Sequence, residues 1–278
     1  MSEVTANGVR IHVQHLSTGS PTVVFIHGLM MDNLSSWYYT MAPAMAQRAG
    51  VCLYDLRGHG LSECPPTGYS VENQAEDLIG VLDALGLTEP AYLIGNSFGG
   101  IVALECALAH PDRVAGLILV EAHIAVAGWR DKMAGGLELA GMVLENDEAQ
   151  IWLDRVGGRK LKRMARRSEV LLDRTTMVDE LLGSPSLTDE QLASITCPVL
   201  AIYGDRSDVI GWARDLAKAL PTCELHVLPN QSHSVMMDSP AQLRDIVFTW
   251  LDRQPAPTHR EPVRPAPAPA PAHSEQRG

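Results

Sequence analysis

No run of 18 or more apolar residues occurs anywhere in the 278-residue chain, and a membrane-spanning helix needs about 20. No membrane span is therefore expected. The first residues, MSEVTANGVRIHV, lack the basic cluster and apolar run of a secretory signal. Cysteine is scarce and unpatterned: Cys52, Cys64, Cys106, Cys197 and Cys223 are widely spaced, odd in number and without a CxxC. That spacing excludes a zinc knuckle and argues against a disulfide frame, so reduced thiols in a cytoplasmic protein are expected, with no metal and no cofactor. Positive charge is also short. With 22 Lys and Arg against 33 Asp and Glu, the net charge is −11, which argues against a nucleic-acid partner. No internal repeat is evident.

What is present is a chain 46% apolar, enough for one large core, either one domain or one domain with an insertion. Short apolar runs alternate with longer helical patterns, the mark of a parallel sheet with crossover helices. VRIHVQHL (9–16) alternates and is expected at the sheet edge. TVVFIH (22–27), GVCLYD (50–55), AYLIGN (91–96), VAGLILVEA (114–122), PVLAIYG (198–204) and CELHVLP (223–229) are further strands, several apolar on both faces. Helices are expected over 72–85, 98–110 and 239–253. The rhythm breaks between residues 124 and 196, where the pattern is helical with no convincing strand. The fold class expected is α/β: a mostly parallel sheet flanked by helices, with an inserted α-helical cap. The boundaries follow as core over 1–123, cap over 124–196, core again over 197–254, and a disordered Pro/Ala-rich tail over 255–278.

Within AYLIGNSFGGIVA (91–103), Ser97 lies where a strand ends and a helix begins. Glycines two residues to either side permit a tight turn that pushes the hydroxyl out at the carboxyl end of the sheet. The new helix aims its free N–H groups there, placing the backbone N–H of Phe98 to stabilise an oxyanion. A glycine-rich turn serving only close packing is the alternative. A serine nucleophile needs a base. Of ten histidines, His233 stands apart, on the polar loop NQSHS after the last strand, while His12, His15 and His226 fall inside strand patterns. The base needs an orienting acid. Asp208, four residues past Gly204, is preferred, with Asp205 and Glu121 as the other candidates. Gly28 lets the chain turn after TVVFIH, freeing the Leu29 N–H as a second oxyanion donor; the ring of His27 is expected to brace that loop.

The order Ser97, Asp208, His233 on successive strand ends, with HGLM (27–30), DLRGHGLS (55–62), GNSFGG (95–100), GDRSD (204–208) and NQSHS (230–234), resembles the α/β-hydrolase superfamily over residues 8–253. The resemblance implies Ser97 as nucleophile, His233 as general base and then acid, Asp208 as orienting carboxylate, and Leu29 and Phe98 as the oxyanion hole. Many members carry the acid three residues after the strand-end glycine, where this chain has Ser207. DLRGHGLS is implied to shape a loop rather than to react. Relatives that open epoxides or remove halides use a carboxylate nucleophile, so Ser97 argues against both reactions.

Methionines gather near the expected site, Met30, Met31, Met236 and Met237, with Met133, Met142, Met164 and Met177 in the cap. They suit either a pocket for an apolar acyl group or ordinary core filling; Met30, Trp37 and Met236 are the substrate contacts put forward. The run DRVGGRKLKRMARRSE (154–169) is strongly basic. It is either a solvated face or, through Arg159, Arg163 and Arg166, a landing site for the phosphates of coenzyme A or for an acyl carrier protein. Three functions follow. The leading one is hydrolysis of a carboxylic ester or thioester through an acyl-enzyme. The others are carbon–carbon hydrolysis of ring-opened diketones and ligand reception without catalysis.

Overall fold

The structure, a computed structural model, describes residues 2–146 and 158–255. The expected tail beyond residue 255 and the first four residues of the basic run (154–157) lie outside the described residues.

Eight strands form one sheet. In chain order they are β1 Ser2–Ala6, β2 Val9–Ser17, β3 Thr22–Ile26, β4 Gly50–Tyr54, β5 Ala91–Asn96, β6 Val114–Val120, β7 Val199–Gly204 and β8 Cys223–Leu228. The spatial order is β1-β2-β4-β3-β5-β6-β7-β8. The β1–β2 and β2–β4 pairs are antiparallel and the remaining pairs are parallel.

The edge differs from the sequence expectation. VRIHVQHL is not an edge strand but lies between β4 and β1. Residues 2–6 fold back onto it through Asn7-Gly8, both at positive φ (46° and 74°), the backbone a two-residue hairpin needs. The Asn-Gly pair is the signal that would have revealed β1.

The described helices are α1 Ser35–Thr40, α2 Ala42–Met45, α3 Val71–Ala84, α4 Phe98–Ala109, α5 Trp129–Glu145, α6 Gly158–Arg174, α7 Met177–Gly183, α8 Asp189–Ser194, α9 Ile210–Ala219, α10 Val235–Asp238 and α11 Pro240–Leu251. Central strands are apolar on both faces because each face meets helices. In β3, Val24 and Ile26 pack in one layer with Leu78 of α3 and Ile101 of α4. Val23 and Phe25 pack in the other with Trp37, Met41, Val247 and Trp250.

Between β6 and β7 the described residues hold helices α5 to α8 and no strand. This helical segment is tied to the loop that follows β4. Leu171 of α6 sits so close to Gly58 (φ 76°) that a Cβ there would lie 2.4 Å from its Cδ2. Glu180 accepts the N–H groups of Gly68 (2.8 Å) and Ser70 (3.1 Å). Arg167 donates to the Ser62 carbonyl at 2.7 Å. The cap therefore sits over the carboxyl ends of the parallel strands, where ligands bind in sheets of this kind.

Candidate active site

Strand β5 ends and α4 begins at Ser97, whose φ of 52° and ψ of −117° form a strained corner for a residue with a Cβ. Close approach on both sides holds it. A Cβ on Gly95 would stand 2.4 Å from the Gly99 carbonyl oxygen, and one on Gly99 would stand 2.5 Å from that of Ile26. The flanking glycines are thus required by close contact. Backbone bonds finish the corner: the Ser97 N–H donates to Val120 O, and Ser97 O accepts from Gly100 and His123, each at 3.0 Å.

From the loop after β8, His233 brings Nε2 to 3.1 Å from Ser97 Oγ. Its Nδ1 faces two carboxylates. Glu121 Oε2 lies at 3.2 Å and is fully buried; Asp208 Oδ1 lies at 3.8 Å, with a side chain 59% exposed. The structure thus places Glu121, rather than the preferred Asp208, nearest the ring. The physical reason is the β6–β7 pairing, which sets Val120 beside Ile202, so that Glu121 reaches across under the loop carrying Ser207. Asp208 instead turns outward and pairs with Lys132 of α5. Burial pushes its carboxyl up, but the hydrogen bond and charge of Lys132 outweigh this and leave it below the usual carboxylate range. Asp205 is exposed, its N–H bonded to Leu228 O at 3.0 Å.

Sequence reasoning passed over His123, two residues beyond Glu121, whose ring lies 5.3 Å from that of His233. Burial, with the neighbouring His233, lowers its pKa to about 4, so it stays neutral beside His233.

The loop after β3 faces the same corner. Gly28 N–H donates to Asp32 Oδ2 at 2.7 Å, and Met30 N–H donates to His59 Nε2 at 3.0 Å. The amide between them, that of Leu29, has no acceptor among the described residues. Phe98 opens α4, so its N–H is one of those a helix leaves without an intrahelical partner. His59 can accept from Met30 because its Nδ1–H is committed to Arg57 O at 2.9 Å, which fixes the tautomer. Burial, reinforced by His27, depresses its pKa to about 3, so the acceptor nitrogen stays free of a proton. His27 accepts the Leu56 N–H at 3.0 Å and donates to Gly28 O at 2.6 Å. The loop 55–62 is pinned in turn by a buried pair: Arg57 reaches Asp77 through two bonds of 2.6 and 2.5 Å.

Above the corner opens a cleft of about 560 Å³ whose lining includes Leu29, Asn96, Leu161, Met164, His233 and Met236. Met31 and Met237, also in its wall, are 36% and 66% exposed. Of the three substrate contacts expected, Met236 lines the cleft. Met30 (φ 64°) instead packs between core and cap. Trp37 is fully buried, with its indole N–H on Ile26 O at 2.9 Å and its ring 5.2 Å from Phe25, beneath the sheet rather than in the cleft.

Arg159, Arg163 and Arg166 are exposed on α6. The same helix walls the cleft with Lys160, Leu161 and Met164, so the basic face borders the entrance. A larger hollow of about 660 Å³ lies between α8 and α9, lined by Leu192, Trp212 and Leu216; neither Ser97 nor His233 reaches it. Among the described residues no group of three His, Cys, Asp or Glu could hold a metal ion, and no helix is long and apolar enough to cross a membrane.

Residues 23–246 match the Alpha/beta hydrolase family. The chain belongs to that family. It is 28% identical over 262 residues to the sn-1-specific diacylglycerol lipase ABHD11 of Mus musculus, spanning 83% of this chain and 81% of that protein. It is 36% identical over 121 residues to the 2-hydroxymuconate semialdehyde hydrolase of Pseudomonas sp. strain CF600, a match limited to 42% of each protein. Among solved structures, Est816, described as an N-acyl homoserine lactone degrading enzyme, superposes with a TM-score of 0.71 at 26% identity, covering 90% of this chain and 100% of Est816. These relatives include a lipase, a semialdehyde hydrolase and a lactone-degrading enzyme; the chain shares their fold and family.

Proposed function

We propose that this protein is a serine hydrolase that cleaves a carboxylic ester or thioester of an apolar acyl group. The observation that carries this is the 3.1 Å contact between Ser97 Oγ and His233 Nε2, at a strained corner under an apolar cleft. As the substrate carbonyl enters, His233 takes the Ser97 proton and Oγ bonds to the carbonyl carbon. The oxygen charge that develops is met by the N–H groups of Leu29 and Phe98, each such donor contributing on the order of 3 kcal/mol. Collapse breaks the bond to the leaving group, which takes the proton from His233. A water then repeats the sequence, giving its proton to His233 and its oxygen to the acyl carbon, and Ser97 is released.

The similarity to a lipase and to a lactone-degrading enzyme supports ester chemistry. The basic face of α6 beside the cleft favours leaving groups bearing phosphate, as in coenzyme A, or held by an acidic carrier protein. A matched pair tests this: one medium-length acyl group presented as an uncharged oxygen ester and as a coenzyme A thioester. Replacing Arg159, Arg163 and Arg166 with glutamine is expected to raise KM for the thioester by about ten-fold and leave the oxygen ester unchanged. Equal effects on both substrates would reduce the run to a solvated face.

Carbon–carbon hydrolysis is the second reading, favoured by the local similarity to the semialdehyde hydrolase. Cleavage of a ring-opened diketone with no turnover of simple esters would establish it.

A further inference from the structure

Among the described residues Glu121 and Asp55 are buried carboxylates held by neutral donors and a histidine, with no Lys or Arg pairing, and Glu121 is the one that faces His233. It follows β6 in a left-handed conformation (φ 48°) with its side chain fully buried. Its oxygens are aimed by neutral donors: the Gly204 N–H bonds Oε1 at 2.5 Å and the Ser207 hydroxyl bonds Oε2 at 2.5 Å. Its backbone N–H is fixed to Ile202 O at 2.9 Å. Among the described residues no Lys or Arg pairs with it, and the basic group beside it is His233. A buried carboxylate beside a neutral histidine favours the positive charge that forms when that ring takes a proton. Asp208 has the opposite setting. It is mostly exposed, farther from the ring and already paired with Lys132 from the cap, and water weakens its field at His233.

We propose that Glu121 is the residue that positions His233 and stabilises its imidazolium. Ser207, standing where related chains carry their acid, aims the Glu121 carboxylate, and Asp208 ties cap helix α5 to the β7 loop through Lys132. The inference rests on the serine hydrolase reading above. The 3.2 Å approach to Nδ1 is not aligned for a hydrogen bond, a looseness common before substrate binds and tightens the site. Within the described residues the charged and titratable groups around His233 are Glu121, Asp208 and His123, with Lys132 behind Asp208 and with Asp32 and Lys160 lining the same cleft.

The test is steady-state kinetics across pH on the ester the wild type turns over, with thermal melts of every variant. Glu121→Gln keeps the shape and the Gly204 bond, and is expected to lower kcat by about 10²–10⁴-fold with KM little changed. Removing the negative charge destabilises the imidazolium, so the acidic limb of kcat/KM moves to lower pH. Ser207→Ala is expected to lower kcat by about ten-fold, with a smaller shift of the same sign. Asp208→Asn keeps kcat within about three-fold and moves the acidic limb less than Glu121→Gln does, while lowering Tm slightly. The double variant Glu121→Ala with Ser207→Asp, which returns a carboxylate to the space beside Nδ1, recovers at least about ten-fold over Glu121→Ala alone. A large loss in Asp208→Asn with near-normal Glu121→Gln would overturn the proposal and return the role to Asp208. Failure of the underlying reading looks different: the wild type would not be labelled by a serine-directed phosphonate, and all five variants would behave alike.

Discussion

Ser97→Ala is expected to lower ester turnover by about 10⁴-fold or more while the melting temperature moves by no more than a few degrees. The kinetic loss follows from the mechanism, since no other oxygen nucleophile is held at 3.1 Å from His233 Nε2 among the described residues. The small stability effect follows from the backbone. Alanine carries the same Cβ into the same φ of 52°, and the bonds that hold the corner, to Val120, Gly100 and His123, are all made by main-chain atoms of residue 97. The variant loses one side-chain hydrogen bond at a half-buried site, which is about 1 kcal/mol. Initial rates set beside a thermal melt check both halves. Activity retained above about one part in a hundred would remove Ser97 from the reaction. A collapsed melt would show that the hydroxyl is structural.

A second large effect is expected far from the nucleophile. Arg57→Met should destabilise the fold by about 3–5 kcal/mol, because it leaves Asp77 buried without its cation. Both side chains of this pair are 4% exposed or less. Burial already lifts the Asp77 carboxyl above its ordinary value, even though Arg57 pulls it down. Without Arg57 the lift grows, and the variant relieves it by taking up a proton. A raised folded-state pKa gives stability that is present at low pH and lost as pH rises through it. The deficit against wild type should therefore be largest near neutrality and shrink as the buffer is made mildly acidic. Urea melts at two pH values measure it, and a deficit that grows on acidification would contradict the argument. Replacing both residues, Arg57→Met with Asp77→Leu, should cost less than Arg57→Met alone. Activity should fall before the fold does, since the pair anchors the loop whose His59 accepts the Met30 N–H beside the oxyanion donors.

The strand-to-helix corner at Ser97 could be read from the sequence because its constraints are local. Glycines at 95 and 99 bracket Ser97 at the spacing that close backbone contact demands, and an apolar strand before and a helix after fix where the hydroxyl emerges. His233 was legible for a related reason, as a polar loop after the last parallel strand opens onto the same sheet end. The acid was not. Glu121 and Ser207 come from different strands, and only the β6–β7 register brings them together. Such a register is a tertiary fact with no local signature. The same holds for Trp37, whose place after the HGLM segment does not show which side of the sheet it meets. For α6, the charge pattern marks a basic face, yet its place as a cleft wall depends on Leu171 docking against Gly58. The missed strand β1 is a different case: Asn7-Gly8 carried the signal, and SEVTA is too polar a partner to attract notice.

The measurement that bears most directly on the central claim is intact-protein mass spectrometry after mixing with a slowly deacylated p-nitrophenyl ester and rapid acid quench. An acyl-enzyme requires one acyl mass per chain, mapped to Ser97, with a matching burst of nitrophenol, and no adduct on Ser97→Ala. Turnover without an adduct, or an adduct elsewhere that persists in Ser97→Ala, would contradict it.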